Sequence, residues 1–172
     1  MRLLVISLMT VFLFACTGKP ESVTPVKGFD VQQYLGKWYE IARLDHGFEE
    51  GLSQVNAEYS LRDDGGIDVI NSGYSVEANE WTQAEGKAFF VETPDIGYLK
   101  VSFFGPFYGS YIIFGLDKNY QHAYISGPNH DYLWLLSRTP TVSDEVKADF
   151  IAKAKAAGFD TTNLIYVEQD AE

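Results

Sequence analysis

The chain has 172 residues, of which 46% are hydrophobic and 15% aromatic, so it is long enough to form one domain with its own core. Its formal net charge is −11, which argues against the basic surface that nucleic acids and anionic membrane surfaces attract. We therefore expect no nucleic-acid partner, and we interpret the acidic balance as a source of solubility.

The first residues differ in character from the rest of the chain. Met1 and Arg2 precede an almost unbroken apolar run over residues 3–14, which is too short to span a bilayer and is typical of a cleaved signal peptide. Ala15 followed by Cys16 resembles the lipobox of bacterial lipoproteins, although Phe14 is bulky for its place. The prediction is a signal peptide over residues 1–15. The alternative is ordinary cleavage nearby that leaves an unmodified thiol.

Cys16 is the only cysteine, so no internal disulfide and no thiolate metal site can form. It stands where a lipid anchor would be attached, and several acyl chains on one cysteine hold a protein firmly. Thr17 after the cysteine resembles lipoproteins sorted to the outer membrane, which predicts an anchor in its periplasmic face. Residues 16–27, with Pro20 and Pro25, are predicted to be an extended tether, and residues 28–172 to form the folded domain.

Alternating apolar residues predict a series of short strands between Trp38 and Arg138. Turn residues such as Asp63 and Gly65, and prolines such as Pro94 and Pro128, fall between them, where a missing backbone N–H does no harm. The predicted strands are 38–45, 53–62, 67–76, 82–91, 98–104, 109–116, 121–127 and 131–138.

One helix follows the strands. Ser143 is a good N-cap, and Gly158 supplies the stop. Val146, Phe150 and Ala154 recur at helical spacing, so we expect this apolar stripe to pack on the outside of the sheet. A last short strand over residues 164–167 is expected to pair with an edge.

The pattern favours a barrel that encloses something over a packed sandwich. Strand 98–104 places Leu99, Val101 and Phe103 on one face and Lys100 and Ser102 on the other, whereas both faces of strand 109–116 are apolar or small. One face of the sheet therefore carries apolar residues throughout, and part of the other face is apolar as well, which indicates that something packs against it. An eight-stranded up-and-down barrel can hold one small ligand.

Three landmarks carry a family resemblance. Gly36 and Trp38 open the first strand, Tyr120 lies in a turn about 80 residues later, and Arg138 ends the last barrel strand. In order and spacing they resemble the signature of the lipocalins, in particular the outer-membrane lipocalins of bacteria. The resemblance implies an all-β, eight-stranded antiparallel up-and-down barrel with one C-terminal helix outside. It also implies that Arg138 lies over Trp38 and binds backbone carbonyls at a closed end.

The resemblance also implies a function. Such a protein binds fatty acids or lysophospholipids, such as palmitate-length chains, stores or transports them in the cell envelope, and needs no cofactor. This sequence departs from the family in two respects: only Tyr120 matches the usual T-D-Y motif, and there is no disulfide.

Period-2 alternation anchored on Trp38 and Arg138, together with similarity of strand position, gives the side chains expected to face the pocket. The predicted ligand-binding residues are Glu40, Ala42, Val55, Ala57, Tyr59, Val69, Asn71, Phe90, Val101, Phe103, Tyr111, Ile113, Tyr124, Ser126, Tyr132 and Trp134.

We predict no catalytic residue and no metal site. His46, His122 and His130 are too widely spaced for a metal motif, and no nucleophile elbow is present. Glu40 is the one carboxylate expected in the cavity, as a partner of a tyrosine or of a ligand head group. Two alternatives remain open: an enzyme that uses Glu40 on a hydrophobic substrate, and an envelope protein whose exposed Phe104, Phe107 and Tyr108 mediate homodimerisation or partner docking.

Overall fold

The structure is a computed structural model that describes residues 18–170. It contains nine strands and two helices in that part of the chain. The strands are β1 (Gly36–Arg43), β2 (Leu52–Leu61), β3 (Ile67–Ser75), β4 (Glu80–Phe90), β5 (Tyr98–Phe104), β6 (Phe107–Leu116), β7 (His122–Ser126), β8 (Leu133–Ser137) and β9 (Ile165–Tyr166). The helices are α1 (Val31–Tyr34) and α2 (Asp144–Ala156).

The first eight strands form a closed antiparallel barrel. Each strand from β2 to β8 pairs with the next, β8 pairs with β1, and β1 pairs back onto β2. The predicted eight-stranded up-and-down barrel is therefore confirmed. The short strand predicted near the C-terminus is also present, since β9 pairs with β1 at Ala42 and Arg43.

β1 and β2 pair only over part of their length. Their register runs from Gly36 opposite Tyr59 to Tyr39 opposite Asn56. Beyond that point Gln169 fills the gap, because its side-chain amide donates to the backbone oxygens of Glu40 and Val55, both at 2.8 Å. The C-terminal segment thus completes the barrel wall between these two strands.

The helix α2 begins where the sequence predicts. The side chain of Ser143 caps it by accepting a hydrogen bond from the N–H of Val146. Phe150 and Ala154 are buried in a cluster with Ile112 and Leu135 from the outer face of the barrel. The apolar stripe of the helix therefore packs outside the sheet, as expected.

Residues 18–27 lie against the barrel rather than forming a free tether. Val23 is buried, and the N–H of Val26 donates to the carbonyl of Ile113 at 2.9 Å. The hydroxyl of Ser110 donates to the carbonyl of Gly18 at 2.6 Å. The predicted signal peptide and Cys16 lie outside the described residues.

The antiparallel order gives the barrel two distinct ends. At one end, here called the closed end, β1 begins and β8 finishes, and α1 lies across it. At the other, the open end, lie the loop 44–51, the turn 76–79, the β5–β6 turn and the loop 127–132. Between residues 18 and 170 no helix is both long and apolar enough to cross a membrane.

Candidate functional site

The closed end begins at a glycine for a backbone reason. Gly36 adopts φ +90°, a conformation that L side chains rarely adopt. A Cβ atom at this position would also lie 3.5 Å from Nη1 of Arg138. The glycine therefore turns the chain into β1 while the arginine lies close to its backbone.

Arg138 ties the closed end together through backbone oxygens. Its guanidinium donates to the carbonyls of Lys37 and Gln33 at 2.8 and 2.7 Å, and to that of Tyr120 at 3.3 Å. The same group lies 4.0 Å from the ring centroid of the buried Trp38. The structure thus has the cation–π contact and the carbonyl contacts that the family resemblance implies.

A cavity occupies the barrel above this closed end and opens at the other. It encloses about 870 Å³ of space between atoms, part of which is open to solvent at the mouth. Most of its lining is aliphatic or aromatic, with a few polar groups, which is the composition typical of sites for apolar small molecules. The cavity is the candidate functional site.

Ten of the sixteen predicted residues line this cavity. They are Glu40, Val55, Ala57, Tyr59, Val69, Asn71, Val101, Phe103, Tyr111 and Trp134. Phe90 and Ile113 also face inward, but they pack in the inner core rather than on the cavity wall. Tyr132 belongs to an aromatic cluster at the mouth, where its ring lies 6.1 Å from that of Trp134 and 5.7 Å from that of His46.

The predicted inward orientation is wrong for Ala42, Tyr124 and Ser126. Ala42 and Tyr124 belong to the cluster between the barrel and α2, and Ser126 is absent from the cavity wall. In β1 the cause is a bulge: Glu40 pairs with Leu136 but Ala42 pairs with Leu135, so the alternation shifts by one residue.

The wrong prediction for Tyr124 and Ser126 in β7 also has a physical cause. Ile125 pairs with Trp134, so these two side chains share the inner face, and Tyr124 and Ser126 fall on the outer one. Tyr124 finds a partner there, because its hydroxyl donates to the carboxylate of Asp149 on α2 at 2.7 Å. Its ring also packs edge-on against Phe150, with centroids 5.2 Å apart.

The bulge in β1 brings a charged side chain inward that alternation does not predict. Arg43 is buried, and its Nη1 lies 2.8 Å from Oε1 of Glu40. Its Nη2 donates to the carbonyl of Glu49 at 2.8 Å. Glu49 in turn accepts from the indole N–H of Trp134 at 3.1 Å and lies 3.1 Å from Nε2 of His46. Together, Glu40, Arg43, His46 and Glu49 form a buried charged cluster near the mouth.

Burial shapes the acidity of this cluster. The pKa of Glu40 is raised well above its ordinary value, first because the carboxyl is removed from water and second because the carboxylate of Glu49 lies nearby. The ion pair with Arg43 acts in the opposite direction without cancelling these effects. Glu40 therefore binds a proton more readily than a carboxyl in water does.

A group of three tyrosine hydroxyls lies deeper in the barrel. The hydroxyl of Tyr111 is 2.7 Å from that of Tyr34 and 2.9 Å from that of Tyr59. Burial raises the pKa of all three phenols, so the group stays neutral and hydrogen-bonded within the barrel.

Sequence reasoning missed part of the cavity. The residues that it missed are Phe29, Tyr34, Phe48, Glu49, Asn56, Ile67, Ala88, Leu99, Ser110, Ile125 and Leu136. Leu99 could have been found, since it shares the face of Val101 and Phe103. Phe48 and Glu49 lie in a loop, where no periodic pattern indicates orientation. Within residues 18–170 no group of three or more His, Cys, Asp or Glu side chains is placed to hold a metal ion.

Comparison with known proteins identifies the family. The family model for a lipocalin-like domain matches residues 29–169, a range that contains all nine strands and both helices. The chain belongs to the lipocalin family.

Curated relatives show which lipocalins the chain is similar to. The chain is 61% identical over 170 residues to the outer membrane lipoprotein Blc of Vibrio cholerae, covering 98% of this chain and 99% of that protein. It is 57% identical over 150 residues to the Escherichia coli K12 protein of the same name, covering 87% and 85%. Temperature-induced lipocalin-1 of Arabidopsis thaliana is 35% identical, covering 81% and 78%. The first two matches place the chain among the lipocalins of the bacterial outer membrane.

Solved structures support the same fold. Insecticyanin from the tobacco hornworm superposes with a TM-score of 0.69 at 23% identity, covering 89% of this chain and 87% of that one. A cockroach allergen, Per a 4, superposes with a TM-score of 0.67 at 20% identity, covering 86% and 92%.

Proposed function

We propose that the barrel binds a single apolar chain, that of a fatty acid or a lysophospholipid, and that the protein stores or transports such lipids at the outer membrane. The observation that carries this proposal is the cavity, with aliphatic and aromatic walls and an open mouth. Burying a chain is favourable by about 0.8 kcal/mol per CH₂, far more than one hydrogen bond adds. Chain length should therefore dominate affinity, and the head group should modulate it.

The polar groups of the cavity suit a head group at the mouth. Glu40 and Glu49 line the wall there, while the tyrosine hydroxyls lie deeper in the barrel. A carboxylate ligand would lie beside two acidic side chains, whereas a head group with an ammonium or a hydroxyl could pair with them. This favours a zwitterionic lysophospholipid, whose ammonium offsets the charge of its phosphate, over a free fatty acid.

We further propose that the protein is not an enzyme. A catalytic acid needs to reach its substrate, but Glu40 is engaged with the guanidinium of Arg43 at 2.8 Å. Its raised pKa follows from burial and from Glu49. Incubation with candidate lipids should therefore return them unchanged by mass spectrometry. A product that disappears in Glu40→Gln would instead establish the enzymatic alternative.

The anchor belongs to the same proposal. Cys16 is the only cysteine, and Ala15 before it fits a lipoprotein cleavage site. The relatives named outer membrane lipoproteins support lipidation here. Cys16→Ser should release the protein from the membrane fraction, and unchanged fractionation of that variant would rule the anchor out.

A substitution inside the cavity tests the ligand site. Ala57 is buried on the cavity wall, so Ala57→Trp fills space that a ligand needs. We expect loss of binding, measured as the saturable quenching of tryptophan fluorescence by fatty acids and lysophospholipids of increasing chain length.

The neighbouring residue provides the matched control. Glu58 is exposed, so Glu58→Trp adds the same ring outside the barrel and should leave affinity unchanged. Ser102 would be a poor control because it is buried. If Ala57→Trp folds and binds as tightly as Glu58→Trp, the ligand does not enter the cavity.

A further inference from the structure

Exposed apolar side chains are concentrated at the open end of the barrel. Of the nine large hydrophobic side chains that are exposed within residues 18–170, six lie at this end. The six are Phe48, Val76, Trp81, Phe103, Phe104 and Phe107. Single exposed apolar residues are common, but their concentration at one end of a molecule marks an interaction surface.

The β5–β6 hairpin differs from its neighbours at this end. Phe104 and Phe107 are 77% and 69% exposed at its tip, with their rings stacked 6.5 Å apart. Residues 101–116 contain no charged side chain, whereas each of the three other segments at the open end carries at least one carboxylate. Because removing a charge from water is costly, the hairpin is the segment best suited to enter an apolar medium.

The N-terminal segment leads directly to this hairpin. It runs along the barrel from Val26, which is bonded to Ile113, to Gly18, whose carbonyl accepts from Ser110 at 2.6 Å. Ser110 is three residues from Phe107 along β6. Cys16 is two residues before Gly18, so covalent geometry limits the separation of their Cα atoms to about 7–8 Å. A lipid on Cys16 would therefore be held on the side of the barrel that carries the hairpin.

We propose that Phe104 and Phe107 of the β5–β6 hairpin contact the lipid leaflet that holds the anchor, and that this contact turns the open end of the barrel toward the leaflet. The proposal rests on the anchor and the cavity of the proposed function. Phe48 and Phe103 line the cavity and are also exposed at its mouth. They provide an apolar path between the leaflet and the cavity.

Charge selects the kind of leaflet. The formal net charge of −11 and the carboxylates in the loops beside the hairpin would be repelled by anionic lipid. The contact therefore depends on aromatic insertion into a surface of zwitterionic lipid, where aromatic rings are favoured at the interface.

Nitroxide labelling of the lipidated protein tests this orientation. The single native cysteine would be blocked by its own lipid, so Phe104→Cys and Phe107→Cys each introduce one reactive thiol. Neither side chain lines the cavity. In phosphatidylcholine vesicles we expect the labels at both positions to be accessible to oxygen and shielded from a water-soluble nickel complex. The matched control is Leu61→Cys, exposed at the closed end, whose label should stay accessible to the nickel complex.

Two results would overturn the proposal. Labels at positions 104 and 107 that remain as water-accessible as the label at position 61 would show that the hairpin does not touch lipid. Spin–spin broadening between labels at position 107 on different molecules would show that a second copy of the chain covers the hairpin. Fatty-acid and lysophospholipid binding by the same variants separately reports on the cavity.

A second measurement tests the contact between the hairpin and lipid in a protein that lacks the anchor. Starting from Cys16→Ser, replacing both Phe104 and Phe107 with serine should weaken partition onto phosphatidylcholine vesicles by about tenfold or more. Leu61→Ser in the same background should have no effect. Equal partition of the two variants would contradict the proposal. If the wild-type chain takes up the thiol label, the lipid anchor has failed, and this partition assay still tests the hairpin.

Discussion

At the closed end of the barrel, Arg138 donates to three backbone carbonyls and lies over Trp38, whereas at the open end Arg43 is buried against Glu40 and Glu49. Backbone carbonyls cannot titrate, so the contacts of Arg138 do not depend on the protonation of a partner. Those of Arg43 do. In addition, Nε of Arg43 and Nδ1 of His46 are buried without a hydrogen-bond partner.

This contrast matches what each end has to do. The closed end joins α1 to the barrel and needs one fixed geometry, which non-titrating acceptors provide. The open end combines buried charge, polar atoms without partners and exposed aromatic rings, all of which are expensive in an isolated folded protein. Such features are expected if the proposed ligand and the proposed contact with lipid complete the surface of this end.

The largest expected effect separates the two arginines. Arg43→Met removes the partner of a buried carboxylate, and we expect unfolding free energy to fall by about 3–5 kcal/mol at pH 8. The pKa of Glu40 is already raised in the folded state, and without Arg43 it rises further. Stability from such a group is present below the unfolded pKa and is lost as pH rises. The loss of unfolding free energy in Arg43→Met, relative to wild type, should therefore be smaller at pH 5 than at pH 8, as measured by urea denaturation.

Its control is the double variant Glu40→Gln and Arg43→Met, which removes both charges. This variant should lose less stability, and its deficit should not change between pH 5 and pH 8. An equal loss in Arg43→Met at the two pH values would show that Glu40 does not respond to its partner.

The second effect is expected at the closed end. Arg138→Ala leaves the carbonyls of Lys37, Gln33 and Tyr120 without this donor, but the site is only half-buried and water can replace part of the contact. We expect a loss of about 2–3 kcal/mol that is the same at pH 5 and pH 8. Arg138→Lys retains the charge without the fork of donors and should recover only part of it. A melting temperature within error of wild type would refute the role of this pairing.

Much of this molecule could be predicted from its sequence, and what could not has a physical cause. In β2, alternation runs unbroken from Asn56 to Leu61, so it correctly predicts that Ala57 and Tyr59 face inward. In β1, the bulge after Glu40 leaves no trace in the residue pattern, so alternation wrongly predicts that Ala42 faces inward and gives no indication of Arg43. The strand pairing places Ile125, and not Tyr124, beside Trp134, and only the register shows this.

The remaining part of the charged cluster comes from a loop. His46 and Glu49 lie in residues 44–51, where orientation depends on their contact with each other and on aromatic contacts. Because a loop has no regular repeat, the sequence does not indicate which of its side chains face the barrel interior. The closed end was predictable for the opposite reason, because Gly36, Trp38 and Arg138 recur as a motif at fixed spacing.

The smallest effect concerns the tyrosine hydroxyls between the two ends. Tyr111→Phe removes the contacts to Tyr34 and Tyr59, at 2.7 and 2.9 Å, and should cost about 1 kcal/mol at neutral pH. Burial raises the pKa of Tyr111 in the folded state, so as pH rises above about 10 only the unfolded chain ionises there and the wild type loses stability. Without this phenol, the loss should be less steep by up to about 1.4 kcal/mol per pH unit. The deficit of Tyr111→Phe at pH 7 should therefore shrink or reverse by pH 11 in urea denaturation. Tyr166→Phe, at a ring that is 48% exposed, provides the control and should show no such crossing. Parallel curves for wild type and Tyr111→Phe across this range would mean that the hydroxyl at position 111 is not shielded from water.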